Sequence, residues 1–176
     1  HTMRGYRKRP GTQGFSVPLV GASLFFIISL FLFASYKNSA YQQAKKEIYS
    51  LYTANRAFDL DEVYQDGLTA IYAKEYGKTA TEAGCEALEQ TGLPYVLLLS
   101  QFSAPVERVY VTNCQLSETG REKKARTYDY TVSVRFCLEK GDEVLAPEKT
   151  MDFHGTVVMK KKGWFRWLLD GVTLGE

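Results

Sequence analysis

TYDYTVSVRFCL, residues 127–138, decides how the rest of the chain is read. Tyr128, Tyr130, Val132, Val134, Phe136 and Leu138 alternate with Thr127, Asp129, Thr131, Ser133, Arg135 and Cys137. A period of two places one set on each side of a strand, so this segment predicts an antiparallel sheet with one covered face.

Downstream, Lys140-Gly141-Asp142 reads as a turn, and Thr150–Lys160 as a further strand with Met151, Phe153, Val157 and Met159 toward the core. Lys161-Lys162-Gly163 suits a three-residue hairpin loop with glycine in the left-handed position. Trp164–Leu174 then closes the sheet. Upstream, SETGREKK (117–124) is an exposed turn. Val106–Leu116 is a strand with Val109 and Val111 on one side and Arg108, Tyr110, Thr112 and Cys114 on the other.

Before Pro105 the period is helical. Residues 39–57 read as an amphipathic helix: Tyr41, Ala44, Ile48, Leu51, Tyr52 and Asn55 fall at three- and four-residue spacing, with Lys45, Lys46 and Glu47 on the opposite face. Asp59 followed by Glu62 has the spacing of a capping box and predicts a helix running to Gly77. A third helix is expected from Thr79, stopped by Gly92 and Pro94. Residues 95–102, YVLLLSQF, form a buried apolar run that fits either helix or strand. Helices followed by strands indicate an α+β class: two to three helices packed on a four-stranded curved antiparallel sheet.

At the N-terminus, residues 15–36 read FSVPLVGASLFFIISLFLFASY, a 22-residue run without charge. Crossing the hydrocarbon core takes roughly 20 apolar residues. Arg4, Arg7, Lys8 and Arg9 precede the run with no acid among residues 1–36, which predicts a cytoplasmic tail and an extracytoplasmic C-terminal domain, with the tail in contact with lipid. A cleaved signal peptide is the competing reading, with Ala34 or Ala40 as the small residue, but the apolar run exceeds the usual 7–15 residues of a signal core. His1-Thr2 reads as a cloning remnant ahead of Met3. The expected organisation is a basic tail (1–14), a transmembrane helix (15–36), a juxtamembrane helix or stalk (37–58) and an α+β domain (59–176).

Without the four tail cations, 18 basic residues face 20 acidic ones over residues 37–176. A net charge of −2 argues against nucleic acid as a partner. His154 is the one histidine outside the remnant, and no Cys/His spacing suits a metal, so neither an enzyme nor a cofactor is expected.

The basic tail, the single span, the helices and the closing KKKGWFRWLLDGVTL (160–174) together resemble a nuclear transport factor 2-like (cystatin-like cone) domain on a membrane anchor. The layout is similar to the bitopic assembly proteins of type IV secretion and conjugation machines. The resemblance implies an extracytoplasmic, non-enzymatic scaffold that forms homo-oligomers and contacts other membrane-complex subunits.

Candidate ligand-binding residues are Tyr128, Tyr130 and Trp167 in the mouth of the cone, and Asp152 with His154, two apart on one strand face. Each also has a structural reading, as core aromatic or surface polar pair. Lys160, Lys161, Lys162 and Arg166 form a basic patch suited to anionic lipid or wall polymer, or simply to a solvated hairpin tip. Cys114 and Cys137 share the polar sheet face, but the register does not favour a disulfide; together with Cys85 they are expected as free thiols.

Overall fold

The computed structural model describes residues 17–37 and 39–175; Arg4, Arg7, Lys8 and Arg9 lie outside the described residues. The chain separates into two compact units, with the division between Ser35 and Tyr36.

The first unit contributes α1, Val17–Lys37. Over Val17–Tyr36 its mean hydropathy is 2.4 and none of it is buried. By length and composition it is a candidate membrane span; a signal sequence near the N-terminus meets the same criteria.

The second unit is α+β. Its helices are α2 (Ala40–Leu51), α3 (Arg56–Asp66), α4 (Leu68–Tyr76), α5 (Glu82–Thr91) and the single turn α6 (Tyr95–Leu98). Its strands are β1 (Ala54–Asn55), β2 (Val106–Arg121), β3 (Ala125–Leu138), β4 (Glu148–Lys162) and β5 (Arg166–Leu174). All neighbours are antiparallel, in the order β1-β2-β3-β4-β5. A curled sheet with helices against it is compatible with a cone-like fold.

The sheet has five strands rather than the expected four. The extra one, β1, pairs Ala54 with Val109 and Asn55 with Arg108. The helix expected to reach residue 57 therefore stops at Leu51, and the chain exchanges helical hydrogen bonds for ladder bonds. Two residues are too few to display a period. The helix expected from Asp59 begins at Arg56, so Asp59 lies inside it, and Gly67, at φ 80°, divides that stretch into α3 and α4. α5 starts two residues later than expected because Thr81 is its N-cap, with the hydroxyl accepting from the Gly84 N–H at 3.0 Å. Gly92, in the left-handed region, ends it as expected.

β3 follows its alternation throughout. Tyr128, Tyr130, Val132, Val134, Phe136 and Leu138 are all buried. β2 does not, because its register against β3 shifts at three places: between Val106 and Arg108, Val111 and Asn113, and Glu118 and Gly120. Each extra residue reverses which side the following residues face. Cys114 therefore joins Val109 on the core side, rather than the polar side expected from unbroken alternation.

The last hairpin also differs. Lys161 and Lys162 belong to β4, paired with Trp167 and Arg166, and the Lys161 N–H donates to the Lys124 carbonyl at 2.7 Å. The turn is Gly163-Trp164-Phe165, with Gly163 at φ 71°. Trp164 and Phe165 are thus turn residues, not the start of β5.

The core lies between α2 and the sheet. Ala40, Ala44, Ile48 and Leu51 from α2 and Tyr52, which caps it, share one core with Tyr130, Val132, Val157, Met159 and Leu169. Glu47, expected on the solvent face with Lys45 and Lys46, is 6% exposed. It stands three residues after Ala44 and four before Leu51, on the helix face that packs inward. α5 adds Leu88, and α6 with its flanks adds Leu93, Tyr95, Leu97 and Leu98.

Candidate functional site

The five candidate ligand residues do not converge. Tyr128 and Tyr130 are buried on the helix-facing side of β3. The Tyr130 hydroxyl donates to the Thr173 carbonyl at 2.9 Å and lies 2.9 Å from the Tyr52 hydroxyl. Burial holds both phenols above their ordinary pKa range. Trp167 is half-buried at the end of the sheet, with the Arg126 guanidinium 5.1 Å and the Lys161 ammonium 5.9 Å from its ring centre.

Asp152 and His154 share the exposed face of β4, on the side of the sheet away from Phe153 and Val157. The Asp152 carboxylate accepts from the Ser133 hydroxyl at 2.6 Å, a partner supplied by the facing strand rather than by His154. Among the described residues, no cluster of three His, Cys, Asp or Glu is arranged to hold a metal ion. No buried side-chain nitrogen or oxygen there lacks a hydrogen-bond partner.

Two open features among the described residues bear on function. The first is an apolar groove of about 380 Å³ between α6 with the loop after it and one end of the sheet. Val96, Leu97, Phe102, Met151, Phe153 and Leu174 line it. It exists because the helices cover the sheet unevenly. Met151 points to the same side as Val157 and Met159, yet is 44% exposed, whereas those two are buried. Phe102 and Phe153 close the floor against Phe136, with ring centres 5.1 and 6.3 Å from it. Val96, 46% exposed, rises from α6 on the opposite wall. Sequence periodicity identified Met151 and Phe153 as core-facing, but it carries no sign of where a helix stops covering a sheet.

The second feature is a cleft of about 550 Å³ between the α4–α5 connection and the β4–β5 hairpin. The consecutive Lys160, Lys161 and Lys162 line it together with Arg166 across the turn, and Lys78 joins them from the far side. The Arg166 guanidinium donates to the Lys78 carbonyl, which ties the two walls together. Glu82 is the acidic residue in the lining.

The cysteines do not pair. Cys114 lies opposite Val132 and Cys137 opposite Arg108 in the same ladder, and all three thiols are free. Cys137 is buried beside Glu148, its thiol 3.9 Å from the carboxylate.

Comparison with protein-family models, with curated proteins and with solved structures found no match to this chain.

Proposed function

We propose that this chain is a non-enzymatic, membrane-anchored assembly component of a cell-envelope complex such as a secretion or conjugation machine. α1 anchors it, the basic tail stays in the cytoplasm, and the α+β domain works outside. The apolar groove carries the reading. Met151, Val96 and Leu174 expose aliphatic and thioether surface around two phenylalanines at the open end of the sheet. An apolar segment of a neighbouring subunit inserted there would complete a core that the helices leave unfinished. A supporting point is the domain's scarcity of histidine, together with the absence of Asp152 and His154 from the linings of the groove and the basic cleft.

The test is the mass and composition of the full chain purified in mild detergent from its own cells. Wild type is expected to carry envelope proteins or further copies of itself. Met151→Asp, a change at an exposed position, is expected to lose them while keeping its fold. A wild-type chain that is strictly monomeric and brings down nothing overturns the proposal.

A second reading is a binding module for a small apolar ligand, peptide or wall fragment. The groove favours it through its size, which lies within the roughly 300–1,000 Å³ of small-molecule sites. Native mass spectrometry separates the two: a bound small molecule lost in Met151→Asp supports the module, and a bound protein supports the assembly component.

A further inference from the structure

The β4–β5 turn does something that folding does not require. A three-residue turn here needs glycine at Gly163, where φ is 71°, and polar residues elsewhere would serve. Instead it carries two adjacent aromatics. Trp164 is 84% exposed and Phe165 42% exposed, with ring centres 6.5 Å apart. An indole left 84% exposed at the tip of a hairpin is an apolar surface that the folding of this domain does not cover.

The charge around that tip runs against the rest of the domain. Lys160, Lys161, Lys162, Arg166 and Lys78 gather beside it in the basic cleft, and the Lys161 backbone is bonded to Lys124 in the neighbouring turn. The residues after the tail nevertheless sum to −2. Cations are therefore concentrated at one end of the sheet, next to the exposed indole. Tryptophan flanked by lysines is the composition of protein surfaces that sit at the boundary between headgroups and acyl chains: the indole prefers the interface, and the ammonium groups stay among the phosphates.

We infer that the β4–β5 hairpin tip is a membrane-docking element, in which Trp164 and Phe165 enter the headgroup region of an anionic bilayer while Lys160–Lys162, Arg166 and Lys78 bind lipid phosphates. The contact is distinct from the one made by α1. Because both lie on one chain, an α1 inserted in a bilayer makes docking an intramolecular event that needs little intrinsic affinity. The occupant is lipid rather than an anionic polymer in solution, because a polyanion would use the cations but leave the aromatic tip in water.

The test uses the full chain reconstituted into vesicles, with lipids brominated on the acyl chain as a quencher of tryptophan emission. The chain has two tryptophans, Trp164 and Trp167, so subtracting the spectrum of Trp164→Ala from wild type isolates Trp164. Its position in an exposed turn keeps that variant folded. In vesicles of mixed neutral and anionic phospholipid, the Trp164 component is expected to fall by half or more. In purely neutral vesicles, or with Lys160→Glu and Lys162→Glu together, the quenching should largely disappear. Full quenching by aqueous iodide together with no bromolipid effect places the tip in water and overturns the proposal. Protection from iodide without bromolipid quenching means that protein covers the tip, and overturns it equally. Neither result bears on the apolar groove, so the assembly reading stands or falls separately.

Discussion

The hydroxyl of Tyr52, at the end of α2, lies 2.9 Å from the hydroxyl of Tyr130, in the middle of β3. Tyr130 donates onward to the Thr173 carbonyl of β5, so Tyr52 donates to Tyr130, and one relay crosses from helix to sheet edge through the core. The two substitutions should therefore differ. Tyr52→Phe removes one donor and should cost about 1 kcal/mol. Tyr130→Phe removes the shared oxygen, strands the Tyr52 donor and the Thr173 acceptor, and should cost roughly 2–3 kcal/mol. Urea midpoints of the two variants check the order; a larger loss for Tyr52→Phe would refute the relay.

Gly84 inverts an ordinary expectation. It lies in α5, where alanine is favoured over glycine by roughly 1 kcal/mol. A methyl group there, however, would sit 2.1 Å from the Leu169 carbonyl oxygen of β5. The helix approaches the strand backbone too closely for any side chain. Gly84→Ala should thus lower stability by roughly 1–3 kcal/mol despite its better propensity. Thermal unfolding decides the sign.

Glu47 makes stability depend on pH. Burial pushes its carboxyl up to about 7, against the opposing effects of the Thr79 side-chain hydrogen bond and Lys46. The unfolded chain releases this proton near pH 4.5, whereas the folded chain holds it until about 7. Between those values the native state binds more protons, so stability falls as pH rises and levels off above 7, a loss on the order of 3 kcal/mol. Glu47→Gln keeps a polar group beside Thr79 but cannot ionise. It should stabilise the domain at pH 8 and leave it nearly unchanged at pH 4. An equal effect at both pH values would remove Glu47 as the cause.

All three thiols should be titratable in the denatured, unreduced chain, because Cys114 and Cys137 occupy different register positions and Cys85 lies in α5. Burial raises the pKa of the Cys85 and Cys114 thiols and slows both toward alkylating reagents. In the native state Cys85, the half-buried one, should react before Cys114 and Cys137, as timed alkylation and peptide mapping would show. A disulfide recovered from freshly isolated protein would contradict the ladder register.

The parts of this fold that were legible in the sequence are those where one physical rule operates without interruption. β3 pairs on both edges and buries one face, so its alternation is unbroken from Tyr128 to Leu138. β2 pairs with β3 along its length but with β1 at only two residues, and that freedom admits the register shifts that turned Cys114 inward. Glu47 was hidden because charge was read as exposure, although its spacing from Ala44 and Leu51 placed it on the buried stripe. Among the candidate sites, the run Lys160–Lys162 is visible in sequence, whereas Lys78 reaches it only through the packing of α5 on β5. The groove was illegible for a different reason. Met151 and Phe153 have the pattern of core residues, and what distinguishes them is a helix that ends before it covers them.

The irregularities of β2 bear on how copies of this chain can meet. From Tyr110 onward no described strand lies outside β2, so its outer backbone would ordinarily be a template for a strand from another molecule. Two interruptions along that edge, between Val111 and Asn113 and between Glu118 and Gly120, break the even spacing of donors and acceptors that such a partner would need. At the opposite side of the sheet, Thr79 and Thr81 already occupy the Leu169 backbone, with bonds of 2.9 and 2.8 Å. At high local concentration many of these domains can therefore lie side by side without their sheets fusing into fibrils.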